Sequence, residues 1–112
     1  MYKKAVERLK NNFIAWVLSL SVDEVMNNQM LRSTIYDLTQ LFRGAESTHK
    51  KIPKQLFFIE FQALFLKVSE EEKQTNEMLR AATENVMQSL YELTKSLYSG
   101  NKTFTKFNEG LN

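Results

Sequence analysis

The stretch from Ser69 to Tyr98 constrains the fold more than any other part of this chain. Leu79, Ala82, Val86, Leu90, Leu93 and Leu97 recur there at steps of three and four residues, which places them on one stripe of an α-helix. Ser69 followed by Glu72 reads as a capping box, in which the serine hydroxyl takes an orphan backbone N–H and the glutamate reaches back. Glu70, Glu71 and Glu72 sit at the positive end of the helix dipole and Lys95 near its negative end, while Gly100 supplies an exit. A helix of that length spans roughly 40 Å at 1.5 Å per residue. The other helices are therefore expected to pack along it.

Those helices are legible from the same periodicity. Ala5, Val6, Leu9, Phe13, Trp16, Val17 and Leu20 share a face of a helix expected over 3–20, with Ile14 and Leu18 off that face and directed at a second neighbour. Ser21 and Glu24 form a second capping box. The stripe begun by Val22 and Met26 falls out of phase with Leu31, Ile35, Leu38 and Phe42, and Asn27 and Asn28 mark the change. The expected arrangement is a short helical turn, an irregularity, and a helix over 29–43 ended by Gly44, with a single helix bent at the asparagines as the alternative. Pro53 suits the first turn of the next helix. From Leu56 to Val68 the chain is apolar almost all round, as in a buried central helix or one with a second apolar face for a partner. A break at Ser69 is the preferred reading, although one helix from 53 to 98 also satisfies the pattern.

Composition agrees with an all-α domain. In 112 residues there are three glycines and one proline, too little turn chemistry for a multi-stranded sheet. The absence of cysteine excludes a disulfide framework and thiolate metal sites, and makes a cytoplasmic location the expectation. Phe13 to Val22 follows a basic segment as a secretory h-region would, but Asp23 and Glu24 stand where a cleavage site belongs, and the run is too short to be a transmembrane segment. The expected organisation is a helical domain over 1–100 and a flexible tail over 101–112.

Catalytic constellations are sparse. With one histidine, no GxxxxGK[ST] and no HExxH, neither a metal nor a cofactor is expected. Glu70, Glu71 and Glu72 are consecutive and cannot converge on one ligand, and Asp23, Glu24 and Asp37 suggest no acid–base pair. Arg43 and His49 match the loose arginine–histidine spacing of all-helical ribonucleases of the HEPN type. That resemblance implies an arginine on phosphate charge and a histidine moving a 2′-hydroxyl proton. A loop histidine among lysines is the simpler account. Lys50, Lys51 and Lys54 lack interleaved aromatics, and a net charge of +2 does not favour nucleic acid. Surplus apolar surface is the stronger lead. Met87, Tyr91 and Tyr98 form a second stripe on the last helix, turned from the leucine face, and Phe104 and Phe107 follow in the tail. Such side chains on an otherwise polar face suit a helical partner.

Asn76, Leu79, Val86, Ser89, Leu90 and Leu93, followed by Thr103, Phe104 and Gly110, resemble the C-terminal part of the flagellar export chaperones for hook–filament junction proteins. The resemblance implies an all-helical, non-enzymatic bacterial protein that holds an aggregation-prone helical partner before secretion, with the last helix and tail as the contact region. Lys51-Ile52-Pro53 and the tail after Leu97-Tyr98 resemble instead the plan of bacteriocin immunity proteins of lactic-acid bacteria, which are basic and four-helical.

The sequence thus specifies an antiparallel bundle of four main helices. Its expected role is protein binding through an apolar helical face at Met87, Tyr91, Tyr98, Phe104 and Phe107, compatible with a homodimer.

Overall fold

The computed structural model describes residues 2–47, 52–71 and 76–98. They form α1 (Tyr2–Leu18), α2 (Val22–Asn27), α3 (Gln29–Glu46), α4 (Lys54–Glu71) and α5 (Glu77–Tyr98), with no strand among them. Four long helices and one short one make an all-α bundle, as the periodicity requires.

Side-chain pairs fix the directions. Rising numbers on α1 meet falling numbers on α5: Arg8 Nη1 lies 3.3 Å from Glu92, Asn12 Nδ2 donates to the Asn85 carbonyl at 3.3 Å, and Trp16 Nε1 donates to Thr83 Oγ1 at 3.1 Å. The same reversal relates α1 to α3, where Lys10 pairs with Glu46 at 2.9 Å and the Phe13 ring lies 5.7 Å from that of Phe42. Numbers rise together on α1 and α4, from Lys54 over the Tyr2 ring to Phe61 beside Phe13 and Phe65 beside Trp16. Neighbours in sequence therefore run antiparallel.

An aromatic cluster fills the centre. Phe13 and Trp16 of α1, Phe42 of α3, and Phe57, Phe61 and Phe65 of α4 are all buried, with ring centroids 5.1–6.2 Å apart. Those separations favour edge-to-face and offset contacts. Phe57, Phe61, Phe65 and Val68 share the inner side of α4 because they repeat at four- and three-residue steps. The long C-terminal helix adds aliphatic side chains from one side: Leu79, Ala82, Val86, Leu90 and Leu93 are buried. It closes the core by packing along α1 and against α4, while α1 reaches α3 and α4 through its side chains.

Several boundaries differ from expectation. The last helix does not begin at Ser69: α4 continues to Glu71, and the Ser69 hydroxyl donates to the Leu66 carbonyl at 3.2 Å. Burial decides this, because Val68 extends the inner stripe by one more turn and carries Ser69 with it. Residues 53–98 thus contain two helices, and α5 is headed by Asn76, whose Oδ1 accepts from Leu79 N–H at 2.7 Å. Glu72, Gly100 and the tail 101–112 lie outside the described residues.

Gly44 is not a helix exit either. It lies inside α3, without positive φ, and the helix runs on until Ala45 is buried. Its function is close approach: a Cβ there would meet Ile52 Cγ2 at 3.2 Å, and Ile52 N–H donates to its carbonyl at 3.3 Å. The first helix stops at Leu18, two residues short, and Leu20 is buried from the following turn. Leu18 is exposed rather than turned to a second neighbour, while Ile14, at 45% exposure, lines a groove beside Phe42 of α3. Phe13 to Val22, the stretch resembling an h-region, gives Phe13, Trp16 and Leu20 to the core.

The change of phase at the asparagines is a break. Asn28 ends α2 and, through Oδ1 accepting from Leu31 N–H at 3.0 Å, begins α3. Ser21 caps α2 by accepting from Glu24 N–H at 3.3 Å, and Arg32 donates to the carbonyls of Val25 and Met26.

Two stability measurements check this arrangement. Asn76→Ala is expected to cost about 1 kcal/mol in urea unfolding, the value of a lost N-cap. Ser69→Ala, by contrast, should stay within about 0.5 kcal/mol. Thr83→Val is expected to cost about 1–3 kcal/mol although the side chains are nearly equal in size, because it leaves the buried indole N–H of Trp16 without an acceptor.

Candidate functional site

Two faces of α5 have opposite fates. The leucine stripe is committed to the core, while Met87 and Tyr91, one turn apart, face outward at 37% and 56% exposure. Glu84, Gln88 and Lys95 accompany them on the exposed side, and the Lys95 ammonium sits 4.6 Å from the Tyr91 ring centroid. This cation–π contact holds the ring without covering it. An adaptable thioether and an amphipathic ring, bordered by charge, make a surface able to accept an apolar helical stripe. Of the five expected contact residues, the structure brings together Met87 and Tyr91. Tyr98 is the last residue of α5, and Phe104 and Phe107 lie outside the described residues.

Large apolar side chains are also exposed outside the expected contact region on α5 and the tail. Leu56, Ile59 and Leu66 of α4 face solvent opposite its phenylalanines. Leu18, Val22, Met26 and Met30 are exposed from the end of α1 through α2 to the start of α3. The signal for the second group was present: apolar residues out of phase with the core stripe lie on a different face.

Other chemistry finds less support. A groove of about 170 Å³ lies between α1 and α3, floored by Phe13, Ile14 and Phe42 and rimmed by Lys10, Arg43 and Glu46. It is smaller than the roughly 300–1,000 Å³ of sites that enclose a cofactor or drug-sized ligand. Arg43 is exposed in the last turn of α3, and His49, Lys50 and Lys51 lie outside the described residues. Lys54 opens α4 with its ammonium 4.7 Å from the Tyr2 ring centroid, and burial pushes the Tyr2 phenol above its ordinary pKa. Among the described residues, no group of three His, Cys, Asp or Glu side chains is placed to hold a metal ion, and no helix is long and apolar enough to cross a membrane.

No family model, curated protein or solved structure matches this chain.

If Met87 and Tyr91 are surface residues free of structural duty, Met87→Gln and Tyr91→Gln should each change unfolding free energy by no more than about 0.5 kcal/mol. Leu90→Ala, on the buried face of the same helix, should cost about 2–5 kcal/mol.

Proposed function

We propose that this protein is a non-enzymatic helical binding module, which holds a helical segment of another protein against the outer face of α5. One observation carries the reading: Met87 and Tyr91 stand together in solvent on a helix whose opposite face is already committed to the core. Apolar and aromatic groups presented one turn apart match the anchor spacing of an amphipathic helix. Tyr98, Phe104 and Phe107 extend this contact region in the proposal.

The resemblance to flagellar export chaperones supplies a class of partner, a secreted helical protein held in the bacterial cytoplasm before export. Asn76 supports it, since the asparagine-led helix of that resemblance corresponds to an asparagine that heads α5. A second reading, an immunity-like bundle, is favoured by a different observation: Pro53 immediately precedes α4, which is apolar on both sides.

Affinity capture of the full-length protein from its native cell, followed by mass spectrometry, separates these readings. A flagellar or other secreted partner, retained by the wild type and lost from the Met87→Glu/Tyr91→Glu variant, is the expected result. A membrane sugar transporter in its place would favour the immunity reading. A ribonuclease activity abolished by His49→Ala would overturn both.

A further inference from the structure

We propose that the outer face of α4 pairs with the same face of a second copy of this chain, the two helices running antiparallel about a two-fold axis near Ala63. The pairing uses residues separate from the α5 face and stands independently of the partner proposed for it.

The surface follows from helix geometry. Leu56, Ile59, Ala63 and Leu66 repeat at steps of three, four and three, so they form one continuous stripe. All four are exposed, Ile59 at 58%, while Phe57, Phe61, Phe65 and Val68 fill the core from the other side. The middle of this outer stripe is Ala63. A small residue there lets two helices approach closely at their crossing, with larger side chains packing to either side. In an antiparallel pair Ile59 of one copy comes beside Leu66 of the other, and the two-fold repeats the contact in reverse.

Charge identifies the occupant. Neither Glu60 nor Lys67 is in an ion pair with another described residue. Glu60 and Lys67 lie seven residues apart on one flank of the stripe, and antiparallel pairing sets that flank against itself, placing Glu60 near Lys67 of the second copy. The charges on this flank are thus complementary to their own reversed image. The apolar stripe supplies the attraction, and the charges select the antiparallel direction.

Sedimentation equilibrium of the full-length protein over a concentration series tests the pairing. The expected wild type is a reversible dimer. Ile59→Glu puts a charge at the centre of the contact and should weaken it by at least about tenfold. The helical circular dichroism should persist in that variant, because Ile59 is mostly exposed in the single chain. Glu60→Lys should weaken the dimer, and Glu60→Lys combined with Lys67→Glu should restore it. A wild type that is monomeric at every concentration overturns the pairing, as does a dimer that Ile59→Glu leaves intact. A dimer dissolved by Met87→Glu and Tyr91→Glu but not by Ile59→Glu assigns the contact to α5 instead. Failure of the double charge exchange to restore association overturns the antiparallel arrangement.

Discussion

The bundle depends on how Trp16 is buried. Its indole is fully enclosed, with the ring edge-on to Phe65 of α4 at 5.1 Å and stacked near Phe13 of its own helix. Such a ring contributes more apolar area than most core side chains, but it carries an N–H that is costly to bury unpaired. Thr83 of α5 resolves the conflict by accepting that hydrogen, while its own hydroxyl donates to the Leu79 carbonyl at 2.8 Å. One residue thereby joins α1 to α4 by packing and to α5 by a directional bond. Apolar contact alone tolerates sliding; a buried donor with one acceptor does not.

A second polar rung reinforces the same register. Asn12 donates to Ser89 Oγ and to the Asn85 carbonyl, and Ser89 in turn donates to that carbonyl at 2.9 Å. Around these rungs Ala5 and Ala82 are small and buried, which suits close approach of helices. The exposed Arg8–Glu92 pair adds little to stability, as surface ion pairs generally do. On the other side of α1 the contact is aromatic, and the polar pair there, Lys10 with Glu46, lies at the exposed edge. The core therefore has two characters, a ring cluster toward α3 and α4 and a hydrogen-bonded seam toward α5.

What could be read from the sequence was whatever depends on helical period. The inward faces of α1, α3 and α5, the Ser21 cap and the break at Asn28 follow from spacing and side-chain chemistry. The end of α4 did not, because Ser69 followed by Glu72 satisfies a local rule that burial of Val68 overrides. Gly44 misled for a related reason: glycine serves both helix exits and tight contacts, and its partner Ile52 is distant enough in sequence to be invisible. The outward position of Met87 and Tyr91 was legible as a second stripe. For α4, periodicity could not decide between a fully enclosed helix and one with a face to spare. Its all-round apolar character fits both, and only the placement of its neighbours shows which side remains uncovered.

The double use of Asn28 has a mechanical consequence. The short helix α2 has no fully buried residue: half-buried Val25 rests against the core, and the ends are held by Ser21 at one and by Asn28 and Arg32 at the other. Because the Asn28 side chain belongs to the helix that follows, unwinding α2 does not uncap α3. The segment carrying Val22 and Met26 can therefore open as a separate low-energy unit while the aromatic centre stays closed, lengthening the reach between α1 and α3 without disturbing either.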